Sequence, residues 1–205
     1  GAATAFVERE LEGAVCLYTN GAAGDVNSVH VTTHFEEVQS VGEKLGRTAV
    51  AEVNRLRTGQ PIESTSISVC ADAVALEPRF SSKLSDTEQE TAALDANTRE
   101  HRLARKLAEG PIRAEVQAMR LGPVRWVSLP GEAFVETGLE LKRKGASFVV
   151  AYANGWVGYL PIRRAYDEGG YETDLGPWSR VMPGSAERLE EVAEGLLARL
   201  DPAGL

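Results

Sequence analysis

The sequence is poor in the residues from which disulfide-stapled and cysteine-ligated domains are built. Among 205 residues there are two cysteines, Cys16 and Cys70, and three histidines. The cysteines form no closely spaced ligand pair, so neither a disulfide framework nor a cysteine-built zinc site is expected. Two free, buried thiols in strand-like apolar runs are expected instead. Basic residues number 22 against 30 acidic ones, a net charge of −8, and they nowhere cluster. A phosphate backbone needs concentrated Lys and Arg, so no nucleic-acid partner is expected. No apolar run approaches the roughly twenty residues of a spanning helix, so no transmembrane segment is expected. The glycines lack the spacing of a phosphate-binding loop, and neither "GSAER" nor "VSLPG" forms a nucleophile elbow. The chain opens "GAATAFVERE", without methionine, so its start says nothing of the compartment, which stays unknown.

What is present is a core-forming composition, 43% hydrophobic and 25% charged, arranged in alternating periodicities. "ATAFVERELE" reads as a short helix and "AVCLYTN" as a buried strand. In "FEEVQSVGEKLGRTAVAEVNRL", Val38, Val41, Leu45, Val50, Val53 and Leu56 recur at helical spacing, which predicts a long amphipathic helix ending near Gly59. "STSISVCADAVAL" alternates as a strand does. "SDTEQETAALDANTREHRLARKLAEG" is charged and helical, with Ser85 as cap and Glu88 three residues on. "RAEVQAMRLGPVRWVSLPG" predicts a hairpin turning at Gly122-Pro123. "EAFVETGLELKRKG" predicts a helix starting beside Gly131, "SFVVAYAN" a strand, and "SAERLEEVAEGLLARL" a closing helix. Without repeats or low-complexity segments, this order predicts a single domain over residues 1–205. The fold class is mixed α/β (α+β), a layered mixed β-sheet with flanking helices.

Three loops follow apolar strands, the places where layered domains gather polar groups on a rigid base. In "NGAAGDVNS", Asp25 is either a helix cap or turn former, or the loop's glycines turn backbone N–H groups towards a substrate. In "LPGEAFVE", Glu132 follows a Pro-Gly bend at a predicted helix start, where the helix dipole rewards an anion by about 0.3–1 kcal/mol. Glu136, one turn on, reads as solvated. The stretch "YANGWVGYLPIRRAYDEGGYET", 152–173, packs glycines, a proline and tyrosines into an irregular span and reads as a shaped, tyrosine-presenting loop. His30 and His34 have the i, i+4 spacing of zinc-binding helices. Val-Thr-Thr lies between them, however, and no Glu follows the first, so a surface loop is the better reading. His101 lies among charges on a solvated helix face.

Taken in order, "NGAAGDVN", "LPGEAFVETGLELK" and "YANGWVGYLPIRRAYDEGGYE" resemble the catalytic domain of the neutral/alkaline non-lysosomal ceramidases, and above all their bacterial relatives. The resemblance runs from about Ala14 to Tyr171 and into the final helix, and 77–110 is its least characteristic part. It implies a zinc-dependent amidase, hydrolysing an N-acyl amide such as ceramide to an amine and a fatty acid, with zinc as cofactor. The family's glutamate ligand corresponds to Glu132 and its tyrosine ligand to Tyr159. A second tyrosine that steadies the oxyanion corresponds to Tyr171. Asp25, Asn27 and Asn154 are implied to line the substrate site or to orient its groups. The family's two histidine ligands lie upstream of the segment matching "GAATAF". The chain therefore corresponds to the C-terminal part of a longer catalytic domain, and an upstream segment of the same protein is expected to complete the site. The family reads Gly-Asp-Val-Ser-Pro where this chain has "GDVNS", so Asn27 marks a departure that bears on the substrate. The rival reading is a relative that kept the scaffold and acts as a binding protein, or hydrolyses a non-lipid amide.

Overall fold

A computed structural model describes residues 1–28, 34–57, 59, 66–79 and 110–200. They belong to two compact units, Gly1–Thr19 with Asn27–Glu63 and Asn20–Val26 with Ser64–Leu205. The helix expected over 85–110 lies outside the described residues except for Gly110, and His30 and His101 lie outside them too.

The first unit is a helix pair, α1 (Ala2–Glu10) and α2 (Phe35–Leu56). The bounds of α2 are those its apolar periodicity predicts. Phe6, Val7 and Leu11 are buried. Gly42 and Gly46, one turn apart on α2, let the helices approach closely: a Cβ on Gly46 would stand 2.8 Å from that of Phe6. The apolar stripe of α2 is only partly used, for Val38 and Leu45 remain about half exposed. "AVCLYTN" is not a buried strand. Residues 14–20 form no strand, and Val15 and Leu17 are 83% and 86% exposed. A strand needs a ladder partner, and the first unit has no strand among its described residues. The backbone N–H of Cys16 donates instead to the Glu8 carboxylate at 2.9 Å.

The second unit is built on a four-stranded mixed sheet in the order β1 (Ile67–Leu76), β2 (Ile112–Leu121), β3 (Val124–Ser128), β5 (Phe148–Val150). The first two pairings are antiparallel and β3–β5 is parallel. Gly122 and Pro123 make the β2–β3 turn, as their sequence predicts. The parallel step is a crossover through α3 (Val135–Arg143). On β2, alternate residues Ile112, Ala114, Val116 and Ala118 are buried, the period-two signature of a half-buried strand. They pack with Val127 and Val149 beneath α5 (Ser185–Arg199), whose Leu189, Ala193, Leu196 and Leu197 complete the core. The other face of the sheet carries Ile67, Val69, Leu121 and Phe148, all exposed. Both cysteines are free and half-buried, and Cys70 Sγ lies 3.4 Å from the Leu196 carbonyl. A two-stranded parallel sheet, β4 (Glu132–Ala133) with β6 (Tyr159–Leu160), and the short helix α4 (Arg163–Glu168) complete the unit. Among the described residues no helix is long and apolar enough to cross a membrane.

Leu196 is 1% exposed at the α5–sheet contact. Leu196→Ala removes three carbons from a packed interior and is expected to cost about 2–5 kcal/mol. Urea unfolding of the two proteins measures it; a loss under about 1 kcal/mol would mean the site collapses around the cavity.

Candidate functional site

Past the end of β3 the chain turns through Leu129-Pro130-Gly131 into β4, and the sequence places Glu132 two residues after a proline. The expected helix does not begin here. It starts at Val135, and Glu132 lies in a strand, so the helix-dipole account of this carboxylate is overturned. Glu132 pairs in parallel register with Tyr159 and Ala133 with Leu160. The Glu132 N–H donates to the Gly158 carbonyl at 2.9 Å. On the other side of β4, the Gly24 N–H donates to the Ala133 carbonyl at 2.8 Å. A Cβ on Gly24 would stand 2.4 Å from the Glu132 carbonyl oxygen, so only glycine allows this approach. Gly158, at φ +96, is crowded in the same way by the Trp178 carbonyl, 2.3 Å from where its Cβ would lie. Residues 152–157 are fixed to the same corner by three backbone bonds: Tyr152 N–H to the Gly131 carbonyl, Ala153 N–H to Leu129 and Val157 N–H to Pro130, at 2.7–3.1 Å.

This backbone gathers aromatic donors around one carboxylate. The Tyr152 hydroxyl donates to Glu132 Oε2 at 2.9 Å, and the Trp156 indole N–H donates to Glu132 Oε1 at 2.9 Å. Tyr159 stands beside Glu132 through the register pairing of the two residues. Partial burial, followed by the negative charge of Glu132, pushes the Tyr159 phenol up to about 12. Burial and then the hydrogen bond to Glu132 push Tyr152 up to about 12 as well. Tyr152 holds a left-handed backbone at φ +56, which a bulky side chain rarely adopts and which surrounding structure must enforce. Tyr171 meets Tyr159 edge-on, with ring centroids 6.0 Å apart, and stacks on Trp178 at 5.0 Å. Behind Trp156 lies Arg180, 9% exposed, which donates to the Val157 and Trp156 carbonyls at 3.3 Å each.

Glu132, Tyr159 and Tyr171 thus stand together. Asp25 lies at the same corner, where its Oδ1 accepts the Val135 N–H at 2.8 Å. It caps α3 from a distant loop, since Phe134 offers no capping side chain. Asn154 is exposed in the loop, at φ +62, a conformation that Asn tolerates better than most residues. Asn27 belongs to the first unit, where it lines an apolar groove with Tyr18, Val38 and Leu45. Glu136 pairs with Arg164 at 3.3 Å on the surface. His34, in the first unit, precedes α2 at its N-cap. Tyr152, Trp156 and Arg180 were not singled out by their sequence. The first two fall inside the irregular tyrosine-bearing stretch, whereas nothing around Arg180 points to them.

Glu132 and Tyr159 offer a hard carboxylate and a phenol oxygen side by side. The carboxylate that raises the phenol's pKa is the partner a shared cation would neutralise. Zinc prefers four donors, and among the described residues no group of three or more His, Cys, Asp or Glu surrounds a common point. The pair therefore fits half of a zinc shell.

No protein-family model matches the sequence, and no curated protein matches it. Solved structures match its fold. The chain is similar to the crystal structure of neutral ceramidase from Pseudomonas aeruginosa, with a TM-score of 0.62 and 16% identity over 98% of this chain and 40% of that one. It is also similar to a ceramidase complexed with C2, with a TM-score of 0.61 and 14% identity over 100% of this chain and 43% of that one. The likeness is one of fold, and the chain spans about two fifths of the length of those structures. It agrees with the mixed α/β, ceramidase-like scaffold that the three loop motifs imply.

In the metal-free protein, Tyr152 and Tyr159 are expected to keep their protons to about pH 12, against 10 for an ordinary tyrosine. The unfolded chain loses these protons near 10, so the associated stability is present below that pH and drains as pH rises from 10 towards 12. Absorbance titration of the phenolates checks this. Glu132→Gln is expected to lower both midpoints part of the way, leaving the elevation due to burial. Unchanged midpoints in that variant would remove Glu132 as a cause.

Proposed function

We propose that this chain forms part of a zinc-dependent amidohydrolase that cleaves an N-acyl amide of the ceramide type to an amine and a fatty acid. The observation that carries this reading is the register pairing of Glu132 with Tyr159 on a ceramidase-like scaffold. Glu132 and Tyr159 would hold the metal through one carboxylate and one phenol oxygen, and two histidines from an upstream segment of the same protein would complete the set. Bound zinc supplies a water of lowered pKa and polarises the scissile carbonyl. The chain's own groups carry the rest. Tyr152 and Trp156, each donating to one oxygen of Glu132, hold that carboxylate in one orientation, as partners behind a ligand do. Tyr171, edge-on to Tyr159, donates its O–H to the oxyanion that develops as the amide carbon becomes tetrahedral. Asp25 fixes the start of α3 and so the strand that bears Glu132. Asn154 shapes the turn leading to Tyr159.

A second reading has one observation in its favour: among the described residues Glu132 belongs to no group of three or more His, Cys, Asp or Glu that could hold a metal ion. In that reading the protein kept the scaffold and binds without metal, or hydrolyses a non-lipid amide. Elemental analysis of the natural protein separates the metal-free case, and a screen of long-chain against short polar acyl amides separates the substrate classes.

In the complete protein, Glu132→Ala is expected to abolish zinc content and amide hydrolysis together. Tyr171→Phe is expected to keep zinc while losing about 10²–10³ in rate. Metal analysis with an amidase assay checks both, and full zinc and activity in Glu132→Ala would overturn the assignment.

A further inference from the structure

Trp156 donates to Glu132, yet the residue is 44% exposed. Burial alone therefore does not fix its rotamer. The group that engages it from behind is Arg180. Its Nη2 donates to the Trp156 carbonyl and its Nε to the Val157 carbonyl, both at 3.3 Å. The guanidinium carbon lies 5.6 Å from the Trp156 ring centroid, within cation–π range. One rigid fork thus holds both the backbone and the ring of the same residue, a geometry that a lysine point charge does not reproduce.

Arg180 is 9% exposed and forms no ion pair among the described residues. Burying a cation without an acid is costly. Two carbonyl acceptors and an aromatic face are modest compensation for closing a loop, a task neutral residues perform elsewhere. Arg180 is itself anchored. Its carbonyl accepts the Arg79 N–H at 2.7 Å, and the Arg79 guanidinium reaches Ser179 Oγ and the Thr173 carbonyl at 2.7 Å each. A continuous set of contacts therefore runs from Arg79 through Arg180 and Trp156 to the Glu132 carboxylate.

We propose that Arg180 is a positioning residue: it sets the orientation of Trp156 and, through the indole N–H, the orientation of Glu132. The part of this proposal that concerns metal rests on the reading of Glu132 as a zinc ligand, and the part that concerns geometry does not. The first test follows the indole N–H resonance of Trp156 in ¹⁵N-labelled full-length protein. Arg180→Met is expected to move it towards its position in Glu132→Gln, while the Trp126 resonance stays. A folded Arg180→Met with the Trp156 resonance unmoved overturns the proposal.

The second test measures zinc affinity, with zinc ion alone as the probe, for Arg180→Met in the wild-type and Trp156→Phe backgrounds. The loss is expected to be about 10- to 100-fold in the first and largely absent in the second, because the effect travels through the indole. Equal losses in both backgrounds mean that Arg180 only supports the fold, and overturn it. If the wild-type protein binds no zinc, the ligand reading of Glu132 fails by itself, and the indole resonance still decides the positioning role. Arg180→Lys keeps the charge and loses the fork. It is expected to behave like Arg180→Met, and serves in its place if that variant does not fold. Wild-type behaviour of Arg180→Lys overturns the proposal.

Discussion

The site depends on a two-residue ladder. β4 and β6 share two residue pairs, Glu132 with Tyr159 and Ala133 with Leu160. In a parallel ladder, register decides which side chains emerge side by side. A slip of one residue would turn Glu132 away from Tyr159 and leave the aromatic donors facing an alanine. So short a ladder has little stability of its own. What keeps its register is the backbone around it: Gly24 against one side of β4, the Gly158 carbonyl against the other, and residues 152–157 bonded to 129–131. The sheet and α5 supply the solid base on which this corner sits.

Electrostatics follows from the same register. One carboxylate with an aromatic hydrogen-bond donor on each oxygen is well satisfied, and its charge is felt in the phenols of Tyr152 and Tyr159. A carboxylate held from both of its oxygens has lost the rotational freedom that a loosely placed ligand must surrender on binding a cation. Preorganisation of this kind is what the proposed role of Glu132 as a metal ligand calls for. Tyr171 lies one ring farther out, exposed on one side and stacked on Trp178 on the other. That position suits a donor which meets a substrate rather than the carboxylate.

The fold was legible where a long periodicity existed. The bounds of α2, the β2–β3 hairpin and α5 follow from spacing alone, because each has enough residues for a period to declare itself. "AVCLYTN" failed because an apolar run reports surface to be covered and not a ladder partner. β4 and β6 went unread because two residues carry no period, and the helix was therefore drawn back to Gly131. The candidate site was proposed from a combination of loops through their family resemblance. Glu132, Tyr159 and Tyr171 were named from motifs, and their convergence is a matter of register that no local pattern encodes. Asp25 was open between cap and substrate group, and it caps a helix 110 residues away. Arg180 was invisible, since a lone arginine 24 residues beyond Trp156 looks like any surface charge until the chain has folded around it.

The central claim is that Glu132 and Tyr159 share one cation. Crystals of the natural protein, soaked in zinc and measured at the zinc absorption edge, test it most directly. The account predicts an anomalous-scattering peak within bonding distance of both the Glu132 carboxylate and the Tyr159 phenol oxygen, lost in Glu132→Ala. An ordered zinc elsewhere with this corner empty, or a peak that persists in the variant, would contradict it.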